Sequence, residues 1–406
     1  MVETTDMRGE FENSVRDWVA ANLPDALVGA HIDMYGVVSD DPAVRDAFEL
    51  WRARLAAQGW GAPTWPREYG GAGLTDAEAK VVSRAIAKAG SMNPIPYLSG
   101  MGVTMVGPTL LEFGTADQKA RHLPGMASGG VRWCLGLSEP NAGSDLASLT
   151  TTAELDAQGW VLNGQKTWTS GADKSQWCGA LVRTDRTAPK RDGISFLMLA
   201  MDQPGIETRP IRLIAGESPF CETFFTNARA RKDDLLGELN HGWSVIKRLL
   251  QHERQSQTSA PVTTTNPEPL QDTAKRYLGT NADGTLADAD LRSRLADHLM
   301  DTAAHELTIA RIMTDARGGN VEVSATASIL KNSATDVAQG HSELLLEIMG
   351  SQGLGWAPGE YSADEARAVR EWLGGKAMSI YGGSYEVQKN IIAKNILGLP
   401  ETTQKG

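Results

Sequence analysis

The stretch Trp133-Cys-Leu-Gly-Leu-Ser-Glu-Pro-Asn-Ala-Gly-Ser-Asp145 decides how this chain is read. It begins as an apolar run of strand type. It breaks at Glu139-Pro140, where Pro140 removes an amide donor and fixes φ. It then enters the turn-prone run Asn141-Ala-Gly-Ser144. A step from strand to loop exposes backbone N–H groups and a hydroxyl, from Ser138 or Ser144, to anything lying against it. A nucleophile elbow at Ser138 fails, because that motif needs a glycine two residues on and Pro140 is there. An ordinary strand and turn reads the same way in isolation. Two later stretches accompany it: Asn163-Gly-Gln-Lys-Thr-Trp-Thr-Ser-Gly171, and Ile380-Tyr-Gly-Gly-Ser-Tyr-Glu-Val-Gln-Lys-Asn390.

The bulk properties narrow the class. A chain of 406 residues can bury a large core in two or three domains. Its net charge of −11 argues against a nucleic-acid surface, which is normally basic. Cys134, Cys178 and Cys221 are too few and too scattered for a disulfide framework or a zinc site, and read as small buried residues. The acidic N-terminus has no apolar h-region and no run is long enough to span a bilayer, so no signal peptide or membrane span is expected. The expectation is a cytoplasmic protein.

Working outward, residues 1–130 read as helical. Phe11, Val15, Trp18 and Val19 recur at helical spacing, as do Val44, Phe48, Trp51 and Leu55. Thr75-Asp-Ala-Glu78 fits a capping box. The Gly- and Pro-dense run 59–73 reads as a structural turn, since no strand precedes it and its spacing is wrong for a phosphate loop. Residues 131–238 read as a small β-domain. Within it Asn163-Gly164 predicts a type I′ hairpin turn between Trp160–Leu162 and Gln165–Trp168. Strands are expected at 178–182, 194–199 and 222–225. Residues 239–406 return to helical periodicity. A loop or helix interruption is expected at 256–272, a long helix from Leu291, Leu295 and Leu299, and further helices near 322–349 and 362–395.

Some chemistry follows from the residues themselves. Trp168 can offer a flat face, and Ser170, two residues on in a strand, would point the same way. The alternative for Trp168 is an ordinary core tryptophan. Glu253 shares a helix face with Trp243, Ile246, Leu249 and Leu250. A carboxylate there would be partly desolvated and its pKa raised, as a general base requires. The alternative is a structural ion pair, with Arg254 as one partner. His252 reads as a packing or surface histidine.

Taken together and in this order, the three stretches resemble the acyl-CoA dehydrogenase family of flavoproteins. The segment Trp65-Pro-Arg-Glu-Tyr-Gly-Gly71, then Phe113-Gly-Thr-Ala-Asp-Gln-Lys119 and Leu123-Pro124, are similar to further family landmarks. The resemblance implies an α+β, mostly helical fold: an N-terminal helical domain, a middle β-domain and a C-terminal helical bundle. It implies FAD, with Ser138 bonding the flavin ring and Leu135 and Leu137 lining it. It places Gly143 and Ser144 near the pyrophosphate and thioester, and Trp168 and Ser170 against the ring. Ser384 and Glu386 match residues that hold the cofactor in the C-terminal motif. Gly350-Ser-Gln-Gly353 stands where an adenosine-proximal glycine run is usual. An inter-subunit Arg-x-x-Phe-Gly segment appears here as Lys275-Arg-Tyr-Leu-Gly279, so Lys275 or Arg276 stands in for the usual arginine.

The C-terminal slot that carries a catalytic Glu in many members is Gly382 here, and a glycine cannot take a proton. The branch that includes isovaleryl-CoA dehydrogenase carries its base eleven residues after a glycine, and Gly242 leads in that way to Glu253. The implied reaction is α,β-dehydrogenation of an acyl-CoA thioester. Glu253 is the implied base, the Gly382 N–H a donor to the enolate oxygen, and Ser144 and Arg254 are implied substrate contacts. Implied partners are an electron-transferring flavoprotein and the other subunits of a homotetramer or heterotetramer. The implied setting is fatty-acid or steroid side-chain β-oxidation. The alternatives are a catalytically silent subunit of a hetero-oligomer, or a flavin oxidase or monooxygenase on the same fold. No metal is implied.

Overall fold

In the computed structural model the described residues are 2–30, 32–33, 36–37, 39–259, 268–317, 323–356 and 359–400. Side-chain caps start three of the N-terminal helices. Asp41 accepts from the Ala43 amide ahead of Pro42, and Thr75 and Glu78 form the capping box that the sequence predicts. Thr115 and Gln118 form a second box that sequence reading passed over. The helices are α1 (Val2–Asn22), α2 (Pro42–Ala57), α3 (Asp76–Lys88), α4 (Ile95–Leu98), α5 (Gly107–Phe113) and α6 (Ala116–Ala127). A two-residue ladder, β1 (Ile32–Asp33) with β2 (Gly36–Val37), lies between α1 and α2. The predicted apolar stripes meet: Val15, Val19, Phe48, Trp51 and Leu55 share one core with Val81, Val82 and Ile86.

The middle of the chain forms an eight-stranded sheet. Its strands are β3 (Trp133–Gly136), β4 (Thr152–Asp156), β5 (Gly159–Ser170), β6 (Trp177–Arg183), β7 (Ile194–Ala200), β8 (Ile206–Ile211), β9 (Phe220–Ala230) and β10 (Leu235–Leu236). The order is β10-β7-β6-β4-β5-β9-β8, with β3 pairing in parallel with β6. Strands β6 and β7 are buried along nearly their whole length, which explains their unbroken apolar sequence. Cys134, Cys178 and Cys221 are buried and free, as expected.

The hairpin expectation is wrong in its place. Asn163-Gly164 lies inside β5, and the β4–β5 turn is at Ala157-Gln158, closed by the Asp156 carboxylate on the Gln158 and Gly159 amides. Two contacts override the turn propensity. The Asn163 side chain exchanges hydrogen bonds with Asn227 across the ladder. Gly164, at φ +150°, lies against Thr151, whose Oγ1 a Cβ would approach to 2.5 Å. The dipeptide therefore stays in strand β5 opposite a bulge of β9, where Thr226 and Asn227 together oppose Asn163.

The chain divides into two compact units, one of residues 1–211 with 219–253 and one of residues 212–218 with 254–406. Helix α7 (Gly242–Ser259) follows the sheet. It continues through Ser259, so residues 256–259 of the interruption expected at 256–272 are helical, and 260–267 lie outside the described residues. The second unit holds α8 (Leu270–Leu278), α9 (Ala289–Arg317), α10 (Val323–Met349), α11 (Ala363–Gly375) and α12 (Tyr385–Asn395). Leu291 and Leu295 join Leu344, Leu345 and Ile348 in its core, whereas Leu299 is 43% exposed and ends the predicted leucine ladder. The order helices, sheet, helices is the one the sequence predicts. Among the described residues no helix is long and apolar enough to cross a membrane.

Candidate active site

The first unit brings two of the three sequence motifs together through a buried ion pair. Lys166 on β5 has no exposed side-chain surface, and its Nζ lies 2.8 Å from Glu139 Oε1. The same ammonium donates to the Leu137 carbonyl at 3.1 Å. Glu139 also accepts from the Thr150 amide and hydroxyl and from the Thr151 amide, at 2.7, 2.8 and 2.8 Å. Burial alone would raise the Glu139 carboxyl; Lys166 and these donors bring it down to about 2, so it is ionised. Burial lowers the Lys166 ammonium, and Glu139 opposes that shift.

Ser138 sits between the two acceptors of Lys166. Its carbonyl accepts from the Thr167 amide at 2.9 Å. Glu139 and Ala142 exchange backbone hydrogen bonds around Pro140-Asn141. The segment is thus fixed on both sides, while the Ser138 hydroxyl has no hydrogen-bond partner among the described residues. Leu135 lies in the core of this unit and Leu137 is half-buried against it. Gly143 and Ser144 are exposed on the following loop.

Trp168 stands out of the sheet by a second bulge. Lys166 pairs with Thr223 and Thr169 with Cys221, so Thr167 and Trp168 together oppose Glu222. Trp168 takes φ +59°, a left-handed backbone that a bulky residue rarely adopts. Its side chain is 56% exposed, edge-on to Phe220 at 6.1 Å. The alternative of a core tryptophan is thereby overturned. So is the strand argument for Ser170: the bulge breaks the alternation between the two, although Ser170 remains half-buried at the end of β5. An exposed indole face beside an unengaged hydroxyl fits the isoalloxazine ring of a flavin, which needs flat cover and edge donors.

Helix α7 carries Glu253. Ile246 and Leu249 are buried, Trp243 and Leu250 partly so, and Glu253 is half-buried one turn on. His252 is a packing histidine, as expected: its Nε2 meets Glu112 at 3.1 Å, and Arg248 also holds that carboxylate. The Arg254 side chain lies outside the described residues.

The second unit places the third motif on a turn and helix start. Gly382 and Gly383 take φ +64° and +88°. The buried Gln388 donates to the Gly382 carbonyl at 2.7 Å, and Ser384 caps α12 by accepting from the Val387 amide. Glu386 is exposed in the first turn of α12. Lys275 and Arg276 lie exposed in the last turn of α8, where Arg276 is engaged by Glu268 at 2.6 Å. The residues that sequence reading missed are Glu139, Lys166 and Gln388. A signal for one was present: period-two alternation from Trp160 and Leu162 lands on Lys166, and a lysine on a buried strand face requires a carboxylate.

Comparison with known proteins follows this layout. Residues 5–130 match the acyl-CoA dehydrogenase N-terminal domain, 134–228 the middle domain and 240–397 the C-terminal domain. The chain is 37% identical over 396 residues to acyl-CoA dehydrogenase IpdE1 of Mycobacterium tuberculosis, covering 96% of this chain and 97% of that protein. Among solved structures it resembles the Tcur3481-Tcur3483 steroid ACAD, with TM-score 0.75, 27% identity and 99% of each chain covered. It also resembles the ChsE4-ChsE5 complex of Mycobacterium tuberculosis, with TM-score 0.71, 26% identity and 98% of each chain covered.

Proposed function

We propose that this chain, which belongs to the acyl-CoA dehydrogenase family, removes the α-proton of an acyl-CoA thioester with Glu253 and yields the trans-2-enoyl thioester. FAD, when bound, supplies the two-electron acceptor for the β-hydride. The residues that fit its ring are Ser138, Trp168 and Ser170, with Leu135 and Leu137 behind them. Gly143 and Ser144 are proposed near the pyrophosphate and thioester, with Arg254 as a substrate contact. Ser384 and Glu386 are proposed to hold the cofactor from the C-terminal motif. The observation that carries the choice of base is the half-buried Glu253 on the apolar face of α7, together with a glycine at 382. An α-proton beside a thioester is only weakly acidic, so the developing oxyanion needs a donor. The Gly382 N–H is the proposed donor, and Gln388 fixes the adjoining carbonyl.

A bulky, ring-bearing acyl group is the proposed substrate class. Gly382 leaves no side chain at its position, and one structural relative is described as a steroid ACAD. The working unit is proposed to be a tetramer in the cytoplasm, reoxidised by an electron-transferring flavoprotein. A second reading, a hetero-oligomer in which another chain completes the site, is favoured by the engagement of Arg276 with Glu268 and by the two-chain ChsE4-ChsE5 relative.

Glu253→Gln keeps shape and hydrogen bonding while removing the base. Flavin binding is expected to survive, and substrate-dependent flavin bleaching in stopped flow to fall by about 10²–10⁴. Bleaching at the wild-type rate would make Glu253 a structural carboxylate and shift the weight to the partner-completed site.

A further inference from the structure

We infer that the buried Lys166–Glu139 pair is a positioning device that sets the flavin-facing Ser138 hydroxyl and the Trp168 ring at one fixed separation. This role rests on the flavoprotein reading above, and its test can fail separately from that reading.

The argument begins with what the pair touches. One ammonium holds the carbonyl before Ser138 and the carboxylate after it. Lys166 itself immediately precedes Thr167, whose amide holds the Ser138 carbonyl. It is also the last residue in regular register with β9 before the bulge that expels Trp168. Any shift of Lys166 along the strand therefore moves both residues. The Glu139 end is equally constrained, because Thr150 and Thr151 tie it to the start of β4. Thr151 in turn reaches the Gln165 carbonyl at 3.3 Å, beside the Gly164 contact that admits it.

A merely stabilising role explains these contacts less well. Buried ion pairs contribute little net stability compared with well-packed apolar residues of the same size. Their strength is geometric: a carboxylate accepting four hydrogen bonds and an ammonium directed at two acceptors favour one arrangement. Here that arrangement converges on a segment whose Ser138 hydroxyl has no hydrogen-bond partner among the described residues and on a tryptophan in a rare backbone conformation. Sites that recognise a rigid planar ligand need such support around the contacting groups.

The experiment compares the purified wild-type protein, in its native oligomer, with Lys166→Met/Glu139→Gln and with Glu139→Asp. The double variant removes both charges and leaves a neutral, similarly sized pair. The expected result is an apoprotein melting within about 5 °C of wild type, an FAD dissociation constant raised about tenfold or more, and blurred vibronic shoulders on the bound flavin's visible band. Glu139→Asp keeps the charge but shortens the reach, and is expected to give a smaller change of the same kind. It serves as the deciding variant if the double variant does not fold. A folded variant that binds FAD with wild-type affinity and wild-type band shape overturns the positioning role while leaving the flavoprotein reading intact. Wild type that takes up no FAD overturns that reading and this inference together.

Discussion

The two units hold their candidate motifs in opposite ways. In the first, Ser138 and Trp168 are fixed by a long-range polar link, Glu139 to Lys166, between segments 27 residues apart in the chain. In the second, the turn at Gly382 and Gly383 is fixed by partners within six residues: the Ser384 cap and the bond from Gln388 to the Gly382 carbonyl. A long-range link fails globally when one end is removed, because a buried charge is left behind. A local link fails locally and costs about one hydrogen bond.

The largest test of that contrast is Lys166→Met alone. It strands the ionised Glu139 carboxylate in the interior, and removing one partner of a buried pair typically costs about 3–5 kcal/mol. Denaturant unfolding should show that loss in the first unit, with most of it recovered when Glu139→Gln is added. A single variant as stable as wild type would show that the pair does not bear on the sheet's stability.

Acid should weaken both units next. His122 is 4% exposed between Trp133 and Trp177, and burial lowers its pKa to about 4. A histidine kept neutral by folding binds its proton more readily when unfolded. Its contribution is therefore full above pH 6.5 and lost as pH falls toward 4, roughly 3 kcal/mol at most. Burial likewise takes His341, in the second unit, to about 4. Glu139 adds a separate term. Its carboxyl at about 2 stabilises fully above about 4.5, and that share is lost as pH falls through 2. Unfolding midpoints measured against pH should show a first decline between 6.5 and 4 in both units and a further decline below 4.5, which Glu139→Gln should reduce in the first unit. His122→Phe should flatten only the first unit's upper limb. A flat profile above pH 5 would contradict the lowered histidine values.

Local support predicts a smaller effect. Ser384→Ala removes the cap of α12 and should cost about 1 kcal/mol, confined to the second unit. Hydrogen exchange should rise in the first turn of α12 and leave the sheet unchanged. Exchange spreading into β5 would break the contrast between local and long-range support.

The same contrast explains how much was legible in the sequence. The capping box at Thr75, the apolar stripes of α1 and α2, and the succession of helices, sheet and helices depend on neighbours a few residues apart, so they could be read directly. The motif around Ser138 was also readable as a strand breaking into a loop. What failed were features set across the sheet. Asn163-Gly164 has the composition of a hairpin turn, but Asn227 and Thr151 hold it in β5 opposite a bulge of β9. Trp168 and Ser170 share a strand face on paper, but the register with Cys221 puts a bulge at Thr167-Trp168 that breaks the alternation between them. Glu139 lay inside the quoted motif and Lys166 inside the next, yet their pairing depends on a fold that brings them within 2.8 Å.

Trp168 gives the smallest and sharpest prediction, because it separates a residue's contribution to stability from its contribution to a ligand. Its φ of +59° is strained for any residue with a Cβ and free of strain for glycine. In an ordinary strand, glycine is less stable than alanine by roughly 0.5–1 kcal/mol. At this bulge the left-handed backbone costs an alanine roughly 1–2 kcal/mol, so the order should reverse. Apoprotein Trp168→Gly is therefore expected to be more stable than Trp168→Ala by a margin of up to about 1 kcal/mol in denaturant unfolding. Both variants should release FAD faster than wild type, since both lose the aromatic cover that the bulge presents. If alanine is instead the more stable of the two, the strand relaxes once the indole is gone and the left-handed turn belongs to the tryptophan. If the predicted order holds, the sheet imposes the turn, and the backbone around Lys166 holds Trp168 toward its ligand at a cost to its own stability.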